Sequence, residues 1–257
     1  MLKKRIIPIL LWKDTGLIKG KNFNSWRRVG SVLPVVRVYN MRDVDELILL
    51  NIESTLNNKP LDLELIKEVS KSCSVPLTVG GGINSIKFAS KILSEGADKI
   101  SINTAAYNNL NLIKELSNEF GRQCIVASID VKKNYAGNYS CHSHSGTIDT
   151  QICPYDWAKK LEDNGAGEIL ITSIDNEGMM NGYDTDLVKN IIDQVKIPVI
   201  ASGGAGEYSH ATQLIKKTDV SAVAVSSMFH FTELTPSGLR KDLELNNIMV
   251  RKKVSIF

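Results

Sequence analysis

Pro76-Leu77-Thr78-Val79-Gly80-Gly81-Gly82 is a short apolar run that ends in three glycines, and Pro198-Val199-Ile200-Ala201-Ser202-Gly203-Gly204 has the same build in the second half of the chain. A run of four or five apolar residues bounded by glycine is too short for a helix. It also lacks the polar alternation of a sheet with one wet face, so each reads as a strand buried on both sides. The likeness extends further. Val79-Gly80-Gly81-Gly82 corresponds to Ser202-Gly203-Gly204-Ala205, and Ser101-Ile102-Asn103-Thr104 to Ala224-Val225-Ser226-Ser227, both displaced by 123 residues.

Working outward from Pro76–Val79 and Pro198–Ala201, six further runs of this kind lie at Ile6–Leu11, Leu47–Ile52, Lys99–Asn103, Cys124–Asp130, Glu168–Thr172 and Ala222–Ser226. Helical periodicity fills the intervals at Leu33–Arg42, Leu61–Ser72, Ile86–Glu95, Asn111–Phe120, Tyr155–Asn164, Asp186–Gln194, Tyr208–Lys217 and Pro236–Leu245. No linker rich in Gly, Ser or Pro interrupts them. Eight strand-helix units predict one α/β domain over residues 1–257, a (βα)8 TIM barrel with a half-barrel internal repeat. A doubly wound open sheet is the alternative, but no G-x-G-x-x-G follows the first strand, and the glycines end the third and seventh.

The composition excludes several classes of function. Among 257 residues, 31 Lys and Arg stand against 28 Asp and Glu, and 43% of residues are hydrophobic. Such a chain buries a core, and a net charge of +3 with no dense basic stripe argues against nucleic acid or an anionic membrane as partner. Cys73, Cys124, Cys141 and Cys153 are too few to staple a fold of this length and suit a reducing compartment. Met1-Leu2-Lys3-Lys4-Arg5-Ile6-Ile7-Pro8 runs from a basic end straight into a strand without a small-residue cleavage site, so no signal peptide is read and a cytoplasmic protein is expected.

In a parallel barrel the C-terminal strand ends face the reaction site. Gly80-Gly81-Gly82 and Gly203-Gly204 let a ligand approach backbone N–H groups closely, and Asn103-Thr104 and Ser226-Ser227 end the following strands with further donors. Tight strand-to-helix turns are the plainer reading of one such glycine run. Duplication of both glycines and their partners favours two phosphate cradles, holding a ligand with phosphate at each end.

Asp130 ends an apolar strand and is the acid–base candidate, with a satisfied structural acid as the alternative. Its half-barrel counterpart, Leu11, cannot carry a proton, and Asn51 at the end of the second strand does not titrate. At the opposite end, Arg5, Glu46, Lys99 and Glu168 start four strands and could meet as a neutral ring, or remain ordinary rim charges.

Cys141, His142, His144 and Cys153 match no usual zinc spacing, and Tyr139 to His144 reads as an exposed hairpin strand, so no metal site is expected. Trp12, Trp26 and Trp157 read as packing or interface residues, and His210 and His230 as structural.

Lys4-Arg5-Ile6-Ile7, Thr78 to Ile83, Gly96-Ala97-Asp98-Lys99, Ser101 to Ala106, Thr172-Ser173-Ile174-Asp175, Gly182-Tyr183-Asp184-Thr185 and Ala201 to Gly206 together resemble the cyclase subunit of imidazole glycerol phosphate synthase, over nearly the whole chain. The resemblance implies a glutaminase bound at the floor of the barrel as a heterodimer, ammonia passing up the barrel, and no cofactor. By position it implies phosphate contacts at Gly81, Gly82, Asn103, Thr104, Gly203, Gly204 and Ser227. It further implies an ammonia gate of Arg5, Glu46, Lys99 and Glu168, a glutaminase contact near Asp98, a mobile first loop carrying Lys19, and acid–base work by Asp130.

In that family an aspartate stands where this chain has Leu11, and the usual aspartates at Asn51 and Glu177 are altered. A paralogous branch, associated with acetamidino modification of surface-polysaccharide sugars, is more similar in Pro8 to Leu11, Gly16 to Lys19 and Val38 to Leu47. It implies delivery of ammonia to an ATP-dependent sugar amidotransferase. The alternatives are the histidine-pathway cyclase itself, with Asp14 or a water replacing the missing carboxylate, and a phosphate-ligand-sensing regulator of the glutaminase.

Overall fold

Alternation along the first strand sorts the core into two parts. In β1 (Arg5–Lys13), Ile7, Ile9 and Leu11 join one buried cluster, inside the barrel, while Ile6, Leu10 and Trp12 join a second, larger one beneath the helices. The other barrel strands are β2 (Leu47–Asn51), β3 (Leu77–Gly80), β4 (Lys99–Ile102), β5 (Ile125–Lys133), β6 (Glu168–Ser173), β7 (Val199–Ser202) and β8 (Ala222–Val225). Each pairs in parallel with the next, and β8 returns to β1 through Arg5 opposite Ala222, so the barrel is closed and has no edge. The computed structural model describes residues 3–14 and 16–252; Met1 and Leu2, at the start of the segment weighed as a signal peptide, lie outside them.

The helices are α1 (Val32–Met41), α2 (Leu63–Ser72), α3 (Ile86–Ser94), α4 (Asn111–Phe120), α5 (Pro154–Asp163), α6 (Thr185–Ile192), α7 (Tyr208–Thr218) and α8 (Pro236–Leu245). Local chemistry starts them where it should. Asp62, Ser85, Asp184 and Thr235 accept hydrogen bonds from first-turn backbone N–H groups, and Pro154 and Pro236 occupy first-turn positions. Among the described residues no helix is long and apolar enough to cross a membrane.

Three features lie outside the eight repeating units. A hairpin of strands Gly16–Lys21 and Asn24–Gly30 extends β1 and folds over the barrel mouth, with Leu11 opposite Ile18. Short helices Thr104–Asn108 and Ser227–Phe231 follow β4 and β8. Their preceding residues share an unusual backbone, φ −123 and ψ −91 at Asn103 and φ −136 and ψ −75 at Ser226, so the half-barrel repeat is structural as well as sequential.

The third feature corrects the sequence reading. Tyr139–Ser143 is a hairpin strand, but Ser140, Cys141 and Ser143 are buried, because β5 continues beyond the barrel to Lys133 and pairs Val131 with Cys141. Trp157 stacks on Tyr107 in the outer core nearby, with ring centroids 4.6 Å apart.

Candidate functional site

A cavity of about 290 Å³ opens at the C-terminal ends of the strands. Gly81, Gly82, Asn103 and Thr104 line one side and Gly203, Gly204, Ser226 and Ser227 the other, with Lys19, Asp130 and Glu177 between them. All the residues expected to bind phosphate therefore share one space.

Two glycines show why the turns take no other residue. Gly81 sits at φ +113, and a Cβ there would lie 2.3 Å from the Asn51 carbonyl oxygen; at Gly204, φ is +107 and a Cβ would lie 1.9 Å from the Gly182 oxygen. The turn reading is thus correct, and glycine is needed with or without a ligand. What points to a ligand lies beside the turns. The Ser226 and Ser227 hydroxyls are buried with no hydrogen-bond partner, a state that is unfavourable unless something polar enters the cavity.

Asn103 and Thr104 also make contacts within the protein. Asn103 Nδ2 donates to Asp130 Oδ2 at 2.8 Å, and Thr104 Oγ1 accepts from the His144 N–H at 2.9 Å, tying the loop after β5 to the end of β4. Asn51, which stands where the resembled family has an aspartate, lines the cavity and turns the next loop, its Oδ1 accepting from Glu53 N, Ser54 N and Ser54 Oγ.

Asp130 closes the barrel portion of β5 and is buried. Burial first, and the negative charge of Glu177 second, push its carboxyl from 3.8 up to about 7, although the Asn103 hydrogen bond opposes the shift. A carboxyl poised there can both take and give a proton at neutral pH. Asp14, weighed as a substitute for the carboxylate missing at Leu11, is exposed outside the cavity, 4.0 Å from Lys59. The second carboxylate of the cavity is Glu177. It follows β6, the neighbour of β5, so it stands on the Asp130 side and not beside Leu11.

Lys19 is buried in an ion pair with Glu177. Asn22, at the hairpin turn, donates from its backbone to Glu177 O at 2.8 Å and from its side chain to Asp175 O at 2.6 Å. The first loop is thus a hairpin latched to the loop after β6. His230 stays structural: burial, then the charges of Lys19 and Arg42, lower it from 6.5 to about 4, so it is neutral at pH 7. His210 likewise serves the backbone, its Nδ1 accepting from Gly206 N and Glu207 N.

At the opposite end of the barrel the four charges do meet. Arg5 pairs with Glu46 at 2.6 Å and with Glu168, and Lys99 reaches Glu46 at 2.9 Å and Glu168 at 3.1 Å. Each carboxylate bridges two cations in a ring of zero net charge. Burial alone would lower the pKa of Arg5 and of Lys99, but Glu168 and Glu46 outweigh it and both are raised. Above the ring the lumen side chains Ile7, Ile48, Val126, Leu170, Ile200 and Ala222 are all uncharged. Asp98 is exposed just before β4, its Oδ2 accepting from Leu77 N at 2.8 Å.

Among the described residues no cluster of three or more His, Cys, Asp or Glu side chains could hold a metal ion. His142 Nδ1 meets the Gly146 carbonyl and His144 Nδ1 the Ser143 hydroxyl, while burial pushes the Cys141 thiol up to about 12.

Glu177, named from the sequence only as an altered aspartate, and Trp26, read as a packing or interface residue, both line the cavity. An acidic residue before Gly178 after the sixth strand was a visible signal for Glu177. Trp26 had none, since its place in the cavity wall depends on how the hairpin folds back.

The sequence pattern of the histidine biosynthesis protein family matches residues 5–235. A Pseudomonas aeruginosa protein provisionally named imidazole glycerol phosphate synthase subunit hisF2 is 45% identical over 231 residues, covering 90% of this chain and 92% of the relative. The imidazole glycerol phosphate synthase subunits HisF of Chlorobaculum parvum and Methanococcus vannielii are 43% and 40% identical, each alignment covering 98% of this chain and 100% of the relative.

Proposed function

Because the chain belongs to the histidine biosynthesis protein family, we propose that it is the barrel subunit of an imidazole glycerol phosphate synthase type complex, fed with ammonia by a glutaminase docked around Asp98 on the floor. The observation that carries this reading is a single cavity holding Asp130 between two cradles, above an uncharged lumen closed below by a neutral ring. Ammonia enters when a cation of the ring swings aside. An uncharged lumen passes neutral ammonia and opposes ammonium, because an unpaired charge there loses its hydration. In the cavity the two cradles fix a ligand by its phosphates, and Asp130 exchanges protons with it. Glu177 holds Lys19 and adds its charge to the burial that raises the Asp130 carboxyl. The test is growth without histidine of a cyclase-deficient strain carrying this chain; failure to grow with the protein soluble and glutaminase-bound refutes the cyclase.

Leu11 favours a second reading. Loss of one member of an acid–base pair removes roughly 10² to 10⁴ in rate, and Leu11 offers no proton. On this reading the barrel conducts ammonia to an ATP-dependent amidotransferase that turns an acetamido group on a sugar into an acetamidino group. Reconstitution decides between them. Glutamine-dependent amidination that continues at full rate without the barrel refutes the conduit.

A further inference from the structure

We infer that the cavity carries an apolar subsite, formed by Leu11, Leu50 and Trp26 with Ile18 packed behind them, which accepts the flat apolar part of a phosphorylated ligand and makes the site selective for phosphate esters carrying such a group. This rests on the reading of Gly81 and Gly82 as a phosphate cradle and names the ligand class that goes with it.

Register places the subsite. Leu11 is opposite Ile18 in the hairpin and opposite Leu50 in β2, and Leu50 is opposite Gly80 in β3. Residues directly opposite in neighbouring strands project to the same face, so three apolar side chains form one row that ends at the residue before Gly81. Trp26 packs against the same cluster from the hairpin. Its indole lies over Gly20, where a Cβ would come within 2.7 Å of the ring, so the missing side chain at Gly20 is what admits the indole to the wall. Trp26 is half-buried and lines the cavity, whereas Trp12 and Trp157 are buried in the outer core.

Across the barrel from Leu11 and Leu50 stands Asp130, at the end of the barrel portion of β5, while Glu177 meets the hairpin through Lys19. The cavity is thus divided: the two glycine turns on two sides, Asp130 on the third and hydrocarbon with one indole on the fourth. A carboxylate at position 11 would face that hydrocarbon. A flat uncharged group that extends from a ligand at Gly81 and Gly82 past Asn51 to Leu50 displaces water from Leu11 and stacks beneath Trp26.

The test compares phenyl phosphate, glycerol 3-phosphate and inorganic phosphate by calorimetry, with tryptophan fluorescence as a second signal, on the full chain and on Trp26→Ala and Leu11→Asp. Phenyl phosphate is expected to bind about tenfold more tightly than glycerol 3-phosphate, the gain from covering one ring. It should also perturb fluorescence in the parent but not in Trp26→Ala. The preference should fall to about unity in either variant, and Trp26→Ala stands alone should Leu11→Asp fail to fold. Equal affinity for the two esters in the parent, or a preference unchanged in Trp26→Ala, refutes the wall while leaving the cradles standing. If none of the three probes binds, the cradle reading falls and the subsite with it.

Discussion

Replacing Asp130 by asparagine should make the folded chain more stable at neutral pH. The carboxyl stands at about 7 when folded against an ordinary 3.8, so the native state holds the proton more tightly than the unfolded one. The sign follows directly. Below pH 3.8 both states are protonated and Asp130 adds nothing. Between 3.8 and 7 the unfolded state ionises while the native state does not, and stability declines with rising pH. Above 7 the full penalty applies, about 4 kcal/mol for a gap of that width. Asparagine removes the charge and keeps the shape. Asn103 Oδ1, buried and without a partner, can accept from the new amide once the hydrogen bond from Asn103 Nδ2 is given up. Allowing a rearrangement cost of up to about 2 kcal/mol at every pH, Asp130→Asn should gain about 2–4 kcal/mol at pH 8, or roughly 5–10 °C in melting temperature, and be equal to or about 2 kcal/mol below the parent at pH 4. Urea unfolding of both proteins at half-unit steps from pH 4 to 9 measures it. Equal stability at pH 8, or a difference that does not change with pH, would show that Asp130 is an ordinary ionised acid and remove its assignment as a proton carrier.

Lys99→Leu should leave Glu46 and Glu168 sharing Arg5 alone, lowering stability by about 3 kcal/mol and raising glutamine consumption per product formed with a glutaminase partner; unchanged coupling in a paired glutaminase assay counts against a gate. Glu177→Gln removes the charge that helps hold Asp130 at about 7, so the Asp130 titration, followed by carboxyl carbon NMR, should move to lower pH. Gly204→Ala forces a Cβ toward the Gly182 oxygen at a positive φ, and a loss of about 2 kcal/mol or more in thermal unfolding is expected.

The barrel was legible because its signals are local. Eight short apolar runs and glycines at two strand ends each act over a few residues, and the 123-residue displacement ties the two glycine turns to the same place in each half. For the same reason the strand-end residues Asp130, Asn103 and Ser227 could be placed at the mouth and Arg5 and Lys99 at the floor, since a parallel barrel fixes which end is which.

Contacts between distant loops could not be read in this way. Whether Arg5, Glu46, Lys99 and Glu168 form a ring or stay solvated depends on barrel diameter and rotamer, and only the closed structure shows each carboxylate bridging two cations. Glu177 reaches Lys19 across 158 residues, and Trp26 enters the cavity because Gly20 leaves space beneath it. The proton affinity of Asp130 belongs with these. The residue type and strand position are written in the chain, but the shift to about 7 arises from burial and from a carboxylate on another loop, and dielectric and charge at a point are properties of the folded surroundings.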